Sequence, residues 1–88
     1  MKTIWKYELP IKDNFIIEIP VDAEILSIQT QENTPCLWAL VESDNLRSIR
    51  KFKMYGTGHP ISDTIKQKYI GTFQVKFRFV FHVFELLE

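Results

Sequence analysis

The sequence predicts an all-β fold: a small antiparallel sandwich or partly open barrel of about seven short strands, with at most one short helical turn. Apolar and polar residues alternate with a period of two over much of the chain, which is the period of a strand. Turn-forming residues recur between these segments, and no helical period extends over a useful length. Seven Phe, three Tyr and two Trp favour strands further. We expect a single domain over residues 1–88, because this length leaves no room for a second core.

The first two predicted strands are residues 5–9 and 14–19. In the first, large apolar side chains alternate with charged ones, and in the second Phe15, Ile17 and Ile19 alternate with Asn14, Ile16 and Glu18. A proline, Pro10 or Pro20, ends each strand. Residues 11–14 between them are turn-forming. We therefore expect these two strands to pair as a hairpin.

The third predicted strand covers residues 23–31. Its alternation places Leu26 and Ile28 on one face and Ile25 on the other. Residues 32–35 then form a turn.

The fourth predicted strand, residues 36–41, is apolar on both faces. A strand of this composition is typically central in its sheet and covered on both sides. We expect Trp38 to belong to the core there, and Cys36 to be a small buried hydrophobe.

The fifth predicted strand covers residues 49–55. Its alternation places Phe52 and Met54 on the face opposite Lys51 and Lys53. The first pair should therefore face the core and the second pair solvent.

The longest irregular stretch follows, over residues 56–68, and residues 62–68 could form one short helical turn. A sixth strand over residues 69–75 should then pair with a seventh over residues 79–86. The seventh is apolar on both faces, so it is predicted to be central.

The charges of the chain are balanced, with 11 Lys and Arg against 11 Asp and Glu. A cluster of basic residues is present, but it fits the solvated face of one strand and the turn before it: Arg47, Arg50, Lys51 and Lys53. Non-specific nucleic-acid binding needs many more clustered cations. No nucleic-acid partner is therefore expected.

Cys36 is the single cysteine, so no disulfide can form within the chain, which is typical of a reducing compartment. No apolar run has the length of a signal peptide or of a membrane span. We expect a cytoplasmic protein with no membrane partner.

The start of the irregular stretch is the best candidate for a ligand site. Its two glycines allow backbone N–H groups to approach an anion closely, Thr57 adds a hydroxyl, His59 a titratable ring, and Tyr55 a stacking surface. This chemistry suits a phosphate or a nucleotide base, and the alternative is a tight structural turn. The candidate ligand-binding residues are Tyr55, Gly56, Thr57, Gly58, His59 and Pro60.

Other chemistry is not supported by the sequence. The Gly-Thr-Gly stretch lacks the third glycine and the Lys-Ser/Thr pair of the known nucleotide loops. Two histidines and one cysteine give no metal-ligand spacing, and His82 is expected to be a hydrogen-bonded core or edge residue. Glu85 and Glu88 are expected to be solvated. We predict no catalytic residues, no metal and no cofactor.

Several stretches of the chain together resemble one protein family. They are Ile4–Tyr7, Pro35–Val41, Tyr55–Ile61, Tyr69–Gln74 and Val80–Glu85. The pattern is similar to that of short bacteriophage and prophage proteins described only as a domain of unknown function. This resemblance implies a context, the host cytoplasm, without an activity. Small phage accessory proteins often inhibit a host factor or sequester a host signalling nucleotide.

Three functions follow as hypotheses. The leading one is a non-enzymatic, homo-oligomeric binding protein that holds a small anionic ligand, such as a signalling nucleotide, with residues 55–60. The second is a protein–protein interaction module that inhibits a host protein, and the third is a small hydrolase. Self-association is expected because a chain this small cannot bury every aromatic ring, and because zero net charge removes the repulsion between copies.

Overall fold

The computed structural model describes residues 1–87, which form seven strands and no helix. The strands are β1 (Lys2–Glu8), β2 (Asn14–Pro20), β3 (Glu24–Gln31), β4 (Thr34–Glu42), β5 (Arg47–Gly56), β6 (Gln67–Val75) and β7 (Phe79–Leu86). They make a three-stranded sheet in the order β1-β4-β3 and a four-stranded sheet in the order β2-β5-β7-β6. All neighbours are antiparallel, and the two sheets do not close into a barrel. The all-β prediction is confirmed.

The predicted hairpin between the first two strands is wrong. β1 pairs with β4 in one sheet, and β2 pairs with β5 in the other. The connection between them crosses from sheet to sheet: Leu9 is buried, and its N–H donates to the carbonyl of Pro35 at 2.9 Å. Alternation and turn residues are the same for a tight hairpin and for a crossover, so the pattern could not separate the two.

The third strand departs from its predicted alternation. The β3–β4 register shifts between Ile25 and Ser27, which marks a bulge. As a result Leu26 faces solvent with 45% of its surface exposed, whereas Ile28 is buried and Ile25 packs against the same core. The expected pairing of Leu26 with Ile28 on one face is therefore wrong. A turn follows β3 as predicted, but it is shorter than expected, because β4 begins at Thr34 and the turn is residues 32–33 only.

The core lies between the sheets, and the two interior strands that the sequence predicted, β4 and β7, are confirmed as interior. Leu37 and Val83 are fully buried on them, and Cys36 is buried as a free thiol. Trp38 is not in this core. Its alternation puts it on the outer face of the three-stranded sheet, where it is half-buried beside Lys6. β4 is therefore covered fully on one side only.

One side of the sandwich is closed by a contact between the edges of β3 and β6, which we call the seam. A Cβ added at Gly71 would lie 3.0 Å from the Cβ of Ile28, so the two backbones approach closely there. The Thr30 hydroxyl donates to the carbonyl of Gln74 at 2.7 Å across the same contact. The opposite side is open, because within residues 1–87 β1 and β2 each have one neighbour only.

The C-terminal half follows the predicted order. β6 and β7 form a hairpin, whose turn places Lys76 and Phe77 at φ 52° and 63°. The helical turn considered for residues 62–68 does not form. This segment bends instead, with the Ser62 hydroxyl accepting from the N–H of Thr64 at 3.2 Å.

An ion pair lies between the sheets where the sequence predicted solvated side chains. Arg50 makes two hydrogen bonds to the Glu85 carboxylate, at 2.6 Å and 2.7 Å, and a third to the carbonyl of Ala23 at 2.6 Å. The Glu85 side chain is only 13% exposed, and this partner raises the pKa of Arg50. Arg50 and Glu85 occupy strand positions whose side chains, like that of Phe52, point into the sandwich. Their position in the strands therefore buries them despite their charge. The prediction for Glu88 falls outside the described residues.

Truncation of the most enclosed ring should cost more than truncation of the larger tryptophan. Phe52 is 1% exposed and stacks on Phe15 at 5.2 Å between ring centroids. Phe52→Ala should lower the free energy of unfolding by about 3–5 kcal/mol, as is typical for a core ring. Trp38→Ala should cost about half as much or less, because its outer surface already meets water. Urea denaturation of both variants tests this, and equal losses would contradict the assignment of the core.

Removal of one member of the ion pair should cost more than removal of both. Glu85→Leu leaves two donors of Arg50 without their acceptor, so it should lower the free energy of unfolding by about 1–3 kcal/mol. The double variant Arg50→Met/Glu85→Leu should recover part of that loss. Thermal denaturation of the single and double variants measures the difference, and additive losses would show that the two side chains are not coupled.

Candidate functional site

The outer face of the four-stranded sheet carries a cluster of aromatic and hydroxyl side chains. It is built by register, since Tyr55 of β5, His82 of β7 and Thr72 of β6 face one another across three strands. In the neighbouring row, Phe84 lies between Lys53 and Tyr69. The intervening residues point inward, so these side chains point to solvent. We call this surface the His82 face, and its residues are Tyr55, Thr57, Tyr69, Thr72, His82 and Phe84.

A chain of hydrogen bonds runs across the His82 face. The Nε2 of His82 lies 2.8 Å from the Thr57 hydroxyl, and its Nδ1 lies 2.9 Å from the Thr72 hydroxyl. The Thr72 hydroxyl also lies 2.6 Å from the hydroxyl of Tyr69. Every hydroxyl in this chain can both donate and accept, and the imidazole donates from one or both nitrogens according to its protonation. The chain can therefore reorient its donors toward an incoming acceptor.

Three aromatic rings lie beside this chain. Tyr55 and Tyr69 each meet Phe84 edge to face, with centroid distances of 5.5 Å and 5.6 Å. The Tyr55 hydroxyl donates to the side chain of Gln67 at 3.0 Å, which fixes that ring. Tyr69 is 53% exposed, so part of the aromatic surface is open to a planar ligand.

The fixed positive charge of the site comes from β5. Lys53 stands directly opposite Phe84 on the same face, and its ammonium group donates to the side-chain oxygen of Asn14 at 2.8 Å. The nearest carboxylate on β7, that of Glu85, points inward to Arg50. Lys53 therefore gives this face one positive charge, and Asp13 lines the same small cleft as Lys53.

The six residues predicted as the ligand site are divided between two surfaces. Tyr55 and Thr57 belong to the His82 face, and Gly58 is at φ 87°, a conformation that favours glycine. The imidazole of His59 folds back over Gly56, where an added Cβ would lie 2.9 Å from its Cε1. The N–H of His59 also donates to the carbonyl of Gly56 at 3.1 Å.

His59 and Pro60 line a small cleft of about 250 Å³ next to the His82 face, and Tyr55 contributes to both. The other residues around this cleft are Asp13, Asn14, Lys53, Met54 and Tyr55. No hydrogen bond between described residues joins the side chain of His59 to Thr57 or His82. The two histidines therefore do not share a chain of hydrogen bonds, although Tyr55 lies beside both.

The sequence analysis missed four residues of the His82 face. His82 is hydrogen-bonded, as expected, but it lies on the outer face of an interior strand and contributes to the site. Its parity with Phe84 was visible in the sequence, whereas its partners Thr72 and Tyr69 lie on another strand. Only the register between β6 and β7 brings them together, and the bulge between Tyr69 and Gly71 shifts that register.

Two larger clefts, of about 450 Å³ and 480 Å³, flank the ion pair of Arg50 and Glu85. The polar groups of that pair already satisfy each other, and Lys68 also lines both clefts. In residues 1–87, no group of three or more His, Cys, Asp or Glu side chains is placed to hold a metal ion. The same residues contain no helix long and apolar enough to cross a membrane.

Comparison with known proteins gives one finding. A family model described as a domain of unknown function, DUF7352, matches residues 1–88 and so covers both sheets and the His82 face. No curated protein and no solved structure matches the chain. The family match carries no activity, and the geometry of the site is the remaining basis for a functional argument.

Proposed function

The chain belongs to the family described as a domain of unknown function, DUF7352, and we propose that it is a non-enzymatic binding protein for a small anionic ligand of the nucleotide class. The observation that carries this proposal is the His82 face, where a half-exposed aromatic group lies beside an imidazole that two hydroxyls hold at 2.8 Å and 2.9 Å. Such a surface offers both a stacking platform and directed donors.

The aromatic part accounts for recognition of a planar base. Stacking on an aromatic side chain is worth about 1–3 kcal/mol per base and tolerates any base, because every base has a π-face. Tyr69 is the most exposed of the three rings, and its edge contact with Phe84 limits its motion. The base of the ligand should therefore stack on the ring of Tyr69.

The polar part accounts for recognition of an anion. When His82 is protonated, both of its nitrogens donate, and the hydroxyls of Thr57 and Thr72 are then free to donate onward. Lys53, one strand away, adds a fixed charge. Phosphate oxygens accept several such bonds at once, so a nucleotide matches the face better than a neutral nucleoside does.

The same geometry argues for binding over hydrolysis. Thr57 and His82 are placed like the hydroxyl nucleophile and the general base of a hydrolase. The second nitrogen of His82, however, faces the Thr72 hydroxyl. In nucleophilic catalysis by such a pair, a carboxylate at that position commonly stabilises the imidazolium. A hydroxyl supplies no such charge, and retention of the ligand is the function that the arrangement supports.

The resemblance to short phage and prophage proteins supports the finer part of the proposal. We infer that the protein is a phage-type accessory protein that self-associates and sequesters its ligand in the host cytoplasm. A second candidate function is inhibition of a host protein. It is favoured by Phe77, which is 97% exposed at the tip of the β6–β7 hairpin.

The two histidines provide a matched pair for the test of ligand binding. Titration calorimetry with a panel of nucleoside mono-, di- and triphosphates should detect binding. His82→Gln should weaken it about tenfold or more, because a hydrogen bond to a charged group is worth about 1.5–3 kcal/mol. His59→Gln should leave the affinity within about twofold.

Each alternative has its own outcome in this experiment. Loss of binding in His59→Gln alone would place the ligand in the cleft of His59 and Pro60 instead. Absence of binding for the whole panel would overturn the proposal, and capture of a host protein that depends on Phe77 would then support the second candidate. Thermal denaturation of each variant checks that it is folded.

A further inference from the structure

β2 is a free edge of the four-stranded sheet, and its backbone groups alternate between the sheet and solvent. The carbonyls of Asp13 and Ile19 point toward β5, since they accept bonds from Met54 N at 3.0 Å and from Ser48 Oγ at 3.2 Å. In an antiparallel ladder, residues of one parity direct both N–H and C=O to one neighbour. The N–H and C=O groups of the other parity, at residues 14, 16 and 18, therefore point away from the sheet.

This edge carries Glu18 and Pro20 toward one end, but its middle lacks the features that usually protect an edge strand. The β2–β5 register is continuous from Asn14 to Pro20, without a bulge, and no lysine stands in β2. The other free edge, β1, carries Lys2 and Lys6 among its outward positions. The edges of β3 and β6 cover each other at the seam. At the middle of the unprotected edge stands Ile16, which is 60% exposed.

We propose that two copies of this chain pair antiparallel through β2 about a two-fold axis at Ile16, which makes one continuous sheet from the two four-stranded sheets. In this register Ile16 faces the partner's Ile16, and Asn14 faces the partner's Glu18. Each facing pair then exchanges two backbone hydrogen bonds. The register uses residues 14–18 only, so Pro20, which has no N–H to donate, lies outside the paired stretch.

In this register the side chains along β2 of one copy are complementary to those along β2 of the partner. The side-chain oxygen of Asn14 already accepts from Lys53 at 2.8 Å, so its amide N–H groups remain free to donate to the partner's Glu18. The two isoleucines meet on the axis and cover each other. Beside them lies a mostly apolar cleft of about 290 Å³, lined in part by Phe15, Phe52 and Leu86. Pairing removes part of this apolar surface from contact with water.

The pairing specifies the self-association proposed above and is separate from the ligand site, because no residue of the His82 face lies on β2. The two proposals can therefore fail independently. A monomeric variant that still binds the nucleotide would leave the ligand proposal intact, and a dimer without a ligand would leave this one intact.

Two matched isoleucines test the pairing. Ile16 and Ile4 are 60% and 56% exposed, and each lies on a free edge strand, so a lysine at either position should leave the fold intact. Sedimentation equilibrium of the full chain should give twice the 10.5 kDa chain mass. Ile16→Lys should raise the dimer dissociation constant about a hundredfold or more, whereas Ile4→Lys should change it less than about threefold.

A disulfide provides an independent measurement. Facing residues of a hydrogen-bonded antiparallel pair have Cα atoms about 5.5 Å apart, within the reach of a disulfide. Ile16→Cys should therefore cross-link nearly quantitatively on mild oxidation and Ile4→Cys should not, while Cys36 is buried and cannot interfere. A wild-type monomer at every concentration, or a dimer that both lysine variants leave unchanged, or cross-linking of Ile4→Cys alone, would overturn the proposal.

Discussion

The close approach of Gly71 to Ile28 is the constraint from which the arrangement of the two sheets follows. An added Cβ at position 71 would stand 3.0 Å from the Ile28 Cβ, so only glycine lets β6 lie this close to β3 without displacing its neighbour. Hydrogen bonds from Thr30 to the Gln74 carbonyl and from the Lys76 N–H to the Asn33 side chain extend the contact to the ends of both strands and the turns that follow them. With this side closed, the free edges of the sandwich are β1 and β2.

The same constraint orients the surfaces proposed to be functional. Because the inner face of the four-stranded sheet is committed to the core, its outer face is the broad surface left open, and the register of β5, β7 and β6 sets Tyr55, His82 and Thr72 in one row on it. The edge proposed for pairing belongs to the same sheet. Pairing through β2 would therefore place two copies of the His82 face on one continuous sheet.

Much of this fold follows from local patterns, and the rest does not. The alternation of Phe52 and Met54 with Lys51 and Lys53 is a property of one strand, so it was predictable and is confirmed. The pairing of β1 with β4 depends on a crossover that no local pattern marks. The site likewise combines residues that a local pattern marks with residues that it does not. Tyr55 and Thr57 were predicted from one stretch of the sequence. Their partners His82, Thr72 and Tyr69 came from the pairing of other strands. The inward position of Arg50 follows from its alternation with Phe52, but its partner Glu85 is 35 residues away and no local pattern marks it.

The central claim is that His82, rather than His59, contacts the ligand, and the nitrogen resonances of the two imidazole rings test it directly. In the folded protein, both ring nitrogens of His82 lie within 3 Å of a threonine hydroxyl, so a ligand that recruits those hydroxyls must perturb the ring. During titration with adenosine monophosphate, the His82 ring nitrogens should shift saturably while those of His59 stay constant. Shifts confined to His59 would contradict the account.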